Sequence, residues 1–525
     1  MMLNLQPKSF DWALAHVLRY GDTDVFPVPF EYEAIKEDWG SVKKHLADAD
    51  VSNWTTRPQR ILLSPKAKFG FRVITQLDPL DFLVFAALVF ELSADLEVRR
   101  VPVSRGRVFS YRAKPDVEGL LFSPIGYRQF LDACRDRIKN DKGIRFIATT
   151  DIADFYSRIY HHRLENALQA ASKKTNHIKA IKNLLSGWNG TETFGIPIGG
   201  APSRLLAEIT LADVDEALLA ASIDFVRFND DYRIFSDTYA HAYRAITFLA
   251  ETLYRNHGLN LQPQKTEILS IPQFESRFLI TPLDRELNSL HDKFEQLASE
   301  LSLGDWYEPI DYDDLNDEQK SAVDSLNLKE LFRDELAKDE PELPIIKFVL
   351  RRLRQLGDDM LVDDIFNNMD KLHPVLPDIC KYIRNLRHLD SVGRSELGTR
   401  MLGLLEGTIV SELPYHRMWI LDLFVHSREW DNEEKFFKLF ASEADPACRR
   451  NIILAMGRAN QEHWFKSQWR TLFDQSHWPR RALLAGASCM TADARKHWYR
   501  SIEPQLDVLE KAVAKWAQRN PFNTF

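Results

Sequence analysis

This sequence has no zinc-finger spacing, no disulfide framework and no membrane span. Its four cysteines, Cys134, Cys380, Cys448 and Cys489, lie far apart without a C-x-x-C pair. That excludes a ribbon-type zinc site and fits a reduced compartment. No apolar run reaches the roughly 20 residues that a bilayer requires, and the N-terminal stretch lacks a signal-peptide core, so a soluble cytoplasmic protein is expected. Positive charge is also scarce. Lys and Arg number 68 against 76 Asp and Glu, a net charge of −8. A uniformly basic nucleic-acid binder is excluded, while a local basic groove is not. No repeat of fixed period is visible. What remains is an ordinary globular composition, 45% hydrophobic over 525 residues. That length is too great for one core, so two or three domains are expected.

The stretch that organises the chain is Phe225-Val226-Arg227-Phe228-Asn229-Asp230-Asp231-Tyr232-Arg233-Ile234-Phe235. Its flanks are β-formers and its Asn-Asp-Asp centre favours a tight turn, which predicts a hairpin with two carboxylates at the tip. Alone, such a turn reads equally as a solvated loop. Upstream, Arg145 to Asp151 reads as a buried strand that exits on an acid. Asp151 there is either a helix N-cap or a metal ligand. Two-metal nucleotidyl transfer needs carboxylates from separate strands holding ions roughly 3.5–4 Å apart, a requirement that Asp151 and Asp230 together could meet.

Other stretches carry a chemical and a structural reading side by side. Leu62 to Val73 reads as strand-turn-strand with Lys66, Lys68 and Arg72, either an exposed basic hairpin or a triphosphate contact. An apolar helix follows, about Leu80 to Leu92. Arg99, Arg100, Arg105, Arg107 and Arg112 interleave with Phe109 and Tyr111, which suits a nucleic-acid backbone and stacked bases or a solvated charged loop. Gly195 to Arg204 is a Gly/Pro loop feeding a helix from about Ser203 to Ala221, open to close approach by a substrate or simply a well-capped helix start. A helix over Tyr239 to His257 leads to a turn and a strand around Lys265, whose cation suits a leaving pyrophosphate or plain solvent.

The order of these parts resembles the fingers and palm of reverse transcriptases over roughly residues 60–280. Asp151-Ile152-Ala153-Asp154-Phe155-Tyr156 resembles the first metal-binding motif, Gly195 to Leu206 the template- and nucleotide-contacting motif, and Phe228-Asn229-Asp230-Asp231 the aromatic-x-Asp-Asp signature. Lys265 matches the lysine of the following motif and Arg72 the fingers arginine. The resemblance implies two Mg²⁺ ions, with Mn²⁺ as a substitute, held by Asp151, Asp230, Asp231 and the Ile152 carbonyl. It implies nucleotide contacts from Lys66, Arg72, Asp154, Phe155, Tyr156, Gly199 and Lys265, with Tyr156 screening the sugar 2′ position. There are departures from the family pattern, among them Phe228 and Asn229 in place of the usual Tyr or aromatic followed by Ala, Met or Val. Ile198 occupies the place of the usual Gln and cannot hydrogen-bond through its side chain. The run Pro197 to Glu208 is more similar to AbiK-like abortive-infection reverse transcriptases, which implies antiviral defence and protein-primed or untemplated synthesis as well as RNA copying. Expected partners are dNTPs, nucleic acid (a DNA product, an RNA template or a non-coding RNA) and further copies of the chain in a homo-oligomer. The alternative is a catalytically silent relative acting as an RNA- or protein-binding scaffold.

The fold class expected is an α+β right-hand polymerase followed by an all-α, HEAT-like helical-repeat domain. The expected division is residues 1–120 for the N-terminal region and fingers, 121–285 for the palm, 286–344 for an acidic, thumb-like linker and 345–525 for the helical repeats. Helical periodicity covers Ile345–Leu356, Leu361–Leu372, Ile379–Leu389, Arg417–Phe424, Cys448–Met456, Trp464–Phe473 and Ile502–Ala514. No RNase H motif or nuclease acid set stands out there. Tyr382, Tyr415 and Tyr499 suit core positions or a priming hydroxyl, and the sequence assigns no priming tyrosine.

Overall fold

The computed structural model describes residues 2–67, 69–279 and 328–522. Lys68 and the 286–327 part of the acidic linker lie outside the described residues. The chain divides into two compact units. One comprises Met1–Ile61 and Ile74–Thr281, the other Leu62–Val73 and Pro282–Phe525.

The first unit opens with helices α1 (Pro7–Tyr20), α2 (Glu31–Glu37) and α3 (Trp39–Asp48). Strands β1 (Arg60–Pro65) and β2 (Phe71–Gln76) form a two-stranded ribbon, as their strand-turn-strand pattern predicts. Helix α4 (Pro79–Arg99) begins where the Asp78 carboxylate accepts the Leu80 N–H, with Pro79 in its first turn. From Leu80 to Val89 it is buried on every side and apolar except for Asp81, whose carboxylate accepts from the Trp54 and Trp188 indoles. After α5 (Tyr127–Asn140) comes the sheet: β3 (Phe146–Asp151), β4 (Asp224–Phe228), β5 (Asp231–Ser236) and β6 (Glu267–Ser270), in the order β4-β5-β3-β6. The pairings are antiparallel, with Phe146 opposite Ser236 and Asp151 opposite Asp231. One face packs on α5 and α12 (Ile271–Phe274) through Phe130, Cys134, Ile147, Phe235 and Phe274. Between β3 and β4 run α6 (Phe155–Arg158), α7 (His161–Ala171), α8 (Thr175–Asn189), α9 (Ala201–Thr210) and α10 (Ala212–Ala220), and α11 (Tyr239–His257) links β5 to the β6 turn.

Two expectations for this unit change. The helix expected over Ser203–Ala221 is two helices broken at Leu211, where the Thr210 hydroxyl bonds back to the Leu206 carbonyl and the turn is spent. Lys265 is not on a strand. It ends a short 3₁₀ turn, Pro263–Lys265, because Pro263 cannot donate to a ladder.

The second unit is helical among its described residues outside the hairpin segment. Helices Leu343–Leu356, Pro414–His426 and Pro446–Arg458 match the expected positions. Leu361–Leu372 is instead Val362–Asn367 and Met369–Leu372, and the Ile379–Leu389 helix stops at Arg384. Trp464–Phe473 is a helix, Glu462–Gln468, followed by a 3₁₀ segment, Trp469–Asp474. Ile502–Ala514 is interrupted by a 3₁₀ turn at Glu503–Gln505, after which Asp507 and Glu510 form a capping box for Val508–Arg519. Helices Leu328–Ala337, Ser391–Gly403, Glu433–Ser442, His477–Gly486 and Ala492–Ile502 are further helices beyond those expected from periodicity. The hairpin segment Leu62–Val73 groups with this unit, in which the Tyr415 phenol hydrogen-bonds Ser64.

Candidate active site

The site begins with a charge conflict. Antiparallel register sets Asp151 directly opposite Asp231, and Asp230 is the last residue of the intervening turn. Like charges facing across strands are unfavourable, so each needs compensation. Lys265 pairs with Asp151, and the Arg233 guanidinium engages both oxygens of Asp231. Asp230 has no such cation of its own. Burial, then repulsion from Asp151, raises its pKa from 3.8 to about 6. Burial also raises Asp231, and Arg233 opposes the shift. The backbone locks the geometry: Ile152 N–H donates to the Asp230 carbonyl (3.1 Å) and Gln262 N–H to the Asp151 carbonyl (2.7 Å). The Thr150 and Thr266 hydroxyls meet at 2.7 Å, fastening the Lys265 turn to β3.

Asn229 is the hinge of the hairpin. Its φ of 56° lies in the left-handed region, which Asn tolerates better than most residues. Its amide N–H donates to the Ser110 hydroxyl (2.8 Å), its carbonyl accepts from Arg227 (2.7 Å), and its side-chain amide donates to Asp230 (2.7 Å). The Tyr156 phenol donates to the Asn229 side-chain oxygen (3.2 Å), and burial pushes that phenol's pKa upward. Tyr156 follows buried Phe155 on α6, and exposed Asp154 precedes them at φ 49°.

Beneath the tip lies a fully buried ion network. Arg227 forks onto Asp215 at 2.8 and 2.6 Å and reaches Glu208 at 3.1 Å. Glu208 also takes Arg100 (2.5 Å) and the Ser110 hydroxyl. Four of the five arginines of the arginine-rich stretch are engaged in this way within the fold, and Arg105 alone of the five stays exposed and outside these pairs. Arg100 and Arg112 are buried on Glu97, Glu208 and main-chain carbonyls, Arg107 pairs with Asp224, and Arg99 with Glu216. Their acids lie up to 117 residues away in sequence, so local composition could not reveal them. Phe109 is core, and Tyr111 packs at a tilt against Phe122 and Phe228.

The Gly/Pro loop is shaped by the N-terminal segment. Gly199 has φ 123°, and a Cβ there would come within 3.1 Å of the Thr23 side chain. Arg204 joins Asp24 (2.6 Å) and the Gly199 carbonyl (3.3 Å) and lies over the Tyr111 ring at 5.4 Å. Ile198 contributes its backbone: its N–H donates to the Thr75 hydroxyl, and its carbonyl accepts the Thr75 N–H at 3.3 Å. Sequence reasoning found no chemistry in the first 60 residues and so missed Asp22–Val25. It also missed Arg233 and the left-handed Asn229, for which an Asn inside a two-residue turn was the available signal.

Lys66 and Arg72 lie in the hairpin segment that groups with the second unit. Tyr382, Tyr415 and Tyr499 are buried, with phenols bonded to the Asp358 carbonyl (2.6 Å), to Ser64 and to the Leu484 carbonyl respectively. They fill core positions. No described helix is long and apolar enough to cross a membrane.

The donor set suits a hard divalent cation: carboxylate oxygens in negative excess, with no thiolate or imidazole beside them. Asp151 and Asp230 fit that group best, since Asp231 already has both oxygens on Arg233.

Residues 108–312 match the family model described as reverse transcriptase (RNA-dependent DNA polymerase). No curated protein matches. Among solved structures, telomerase from Candida albicans, in complex with a TWJ fragment of telomeric RNA, is similar at 13% identity and a TM-score of 0.32, over 78% of this chain and 71% of that one. The Candida tropicalis telomerase, with the same kind of RNA fragment, gives 11% and 0.32 over 66% and 64%. The carboxylate strand, the Asp-Asp hairpin and the Lys265 turn thus lie within the residues that match this family model.

Proposed function

We propose that the protein synthesises DNA from dNTPs by two-metal nucleotidyl transfer. The observation that carries this reading is the undercompensated pair Asp151 and Asp230, adjacent through the Ile152–Asp230 backbone bond. Asp151 and Asp230 would hold the two Mg²⁺ ions (or Mn²⁺), with the Ile152 carbonyl as a further ligand and Asp231 fixing the hairpin through Arg233. The ions supply a lowered pKa at the attacking hydroxyl and charge neutralisation on the departing pyrophosphate. Lys265, paired with Asp151 in this structure, would supply a cation beside the triphosphate. The family resemblance adds Lys66 and Arg72 as triphosphate contacts. Tyr156, pinned by Asn229, fills the space that a ribose 2′-hydroxyl needs, with Asp154, Phe155 and Gly199 lining the nucleotide.

The resemblance of Pro197–Glu208 to AbiK-like enzymes supports an abortive-infection role in antiviral defence, in the cytoplasm, as a homo-oligomer. Ile198 engages Thr75 through its backbone and leaves no side-chain donor for a template, which favours protein-primed or untemplated synthesis over RNA copying. The test is to incubate the purified chain with Mg²⁺ and each labelled dNTP, without added nucleic acid, beside Asp230→Asn. Products are resolved before and after protease, DNase and RNase. Label that is sensitive to protease and DNase, and absent from Asp230→Asn, is expected. Equal labelling of both proteins overturns the metal assignment, and no labelling of either, with or without an added primer and template, supports the scaffold alternative.

A further inference from the structure

The second unit carries a charge imbalance of the opposite sign to the one at the hairpin tip. Helix Leu343–Leu356 presents Lys347, Arg351 and Arg354, spaced i, i+4 and i+7, on the face beside its buried apolar stripe. Helix Leu376–Arg384 packs alongside and brings Lys381 and Arg384, about one turn apart. Both helices bury their apolar sides in the core of the unit, so the scaffold fixes where these cations stand.

The carboxylates that face the group are Asp378 and Asp422, and neither closes a hydrogen-bonded pair with it. Arg351 stands 3.6 Å from Asp378, and Arg384 stands 3.9 Å from Asp422, which His426 already approaches at 3.1 Å. Among the described residues, Arg354 and Lys381 have no carboxylate within ion-pair distance. Lys381 lies instead over the Trp419 ring, 5.0 Å from its centre. Burial, joined by repulsion from Arg354, Arg384 and Arg351 and opposed by Asp378, lowers the Lys381 pKa. Burial and repulsion from Arg384 and Arg351 do the same to Arg354. Other arginines of the unit are matched: Arg417 forks onto Glu443 at 3.0 and 3.1 Å. The unmatched group is open to solvent. The Arg351 and Arg384 side chains are 67% and 39% exposed, and Arg354 and Lys381 are half-buried.

We infer that this face of the second unit binds the phosphodiester backbone of a single-stranded nucleic acid. Partly desolvated like charges repel, and an anion laid across them relieves the repulsion. Arginine forks match pairs of phosphate oxygens, and lysine adds a point charge. Cations spread along two helices meet successive phosphates of a strand, whereas one small anion reaches only part of the row. The same unit supplies a surface for bases. Its hairpin segment is fastened through Ser64 to Tyr415, which also bonds Trp419, and it exposes Phe69 and Phe71, on which unpaired bases stack. An acidic peptide has no use for those rings. DNA and RNA share the backbone chemistry and are its two sources. Such binding needs no synthesis by the first unit.

Full-length protein in EDTA, without dNTPs, is titrated with fluorescein-labelled oligo(dT) and oligo(rU) over a range of salt concentrations, by fluorescence anisotropy. Saturable binding is expected. Arg354→Gln combined with Lys381→Gln should weaken it roughly 10-fold or more. The slope of log K against log salt should shrink by about 1.4, the share of two phosphate contacts on a single strand. The ligand-free melting temperature should not fall, because two mutually repelling cations are gone. Arg351→Gln with Arg384→Gln, at the more exposed positions, should weaken binding in the same sense. Lys435→Gln with Lys438→Gln makes the same charge change at exposed positions elsewhere on the unit and should leave binding unaltered. Tighter binding of one oligomer identifies DNA or RNA as the strand. Absence of saturable binding, unchanged affinity and salt slope in Arg354→Gln/Lys381→Gln, or displacement of the probe by poly-glutamate as effectively as by unlabelled oligo(dT) overturns the proposal.

Discussion

The tip of the Asp-Asp hairpin and the layer directly beneath it are both dense in charge, but they are balanced differently. Beneath the tip, Arg100 and Arg227 face Glu208 and Asp215, and every charge is matched and buried. At the tip, Asp151, Asp230 and Asp231 share Lys265 and Arg233, and one carboxylate is left in excess. Matched buried charges specify a structure, and breaking one partner leaves an uncompensated ion. Unmatched charges at the surface of a cleft invite a ligand of opposite sign. The lower layer therefore reads as scaffold and the tip as chemistry, although the same hairpin carries both.

That contrast can be broken in several ways. The largest effect is expected at the tip. Asp230→Asn should lower dNTP incorporation by roughly 10³-fold or more while leaving the fold intact, measured by labelling and by thermal melting. Arg227→Met should do the opposite. It strands Glu208 and Asp215 and should cost about 3–5 kcal/mol of stability by denaturant titration, with activity lost only through unfolding.

A third effect is set by pH. Asp230 ionises at 3.8 when unfolded and at about 6 when folded. Between those values the folded state holds the extra proton, so Asp230's contribution to metal-free stability, read as the difference between wild type and Asp230→Asn, should fall as pH rises from 4 to 6, by up to about 3 kcal/mol, and level off above. Asp230→Asn should flatten that slope. Added Mg²⁺ should reverse it, because binding requires the ionised carboxylate. The smallest effect is one of selectivity. Tyr156→Ala should raise the rNTP/dNTP incorporation ratio roughly 10–100-fold, about 1–3 kcal/mol of discrimination, and an unchanged ratio removes the sugar-gate role.

The same contrast explains what the sequence could disclose. Strand β3, the hairpin and α11 were legible because local periodicity and turn chemistry determine them, and Asp151 and Asp230 sit on the first two, whereas the turn that carries Lys265 reads in the sequence as a strand. The arginines at 99–112 misled because a cation's role depends on its partner, and Glu208, Glu216 and Asp224 arrive only through tertiary folding. The buttress of Gly199 by Thr23, and the helix breaks at Leu211 and at Glu503–Gln505, likewise depend on packing and capping that no periodic pattern records.

Mn²⁺ binding, followed by the paramagnetic signal of the free ion, tests the central claim most directly. Wild-type protein at pH 7.5 should bind Mn²⁺ saturably, and the binding should weaken as pH falls below about 6 and be lost in Asp230→Asn. Equal Mn²⁺ affinity in wild type and Asp230→Asn across that range would contradict the assignment of the hairpin tip as the metal-dependent centre.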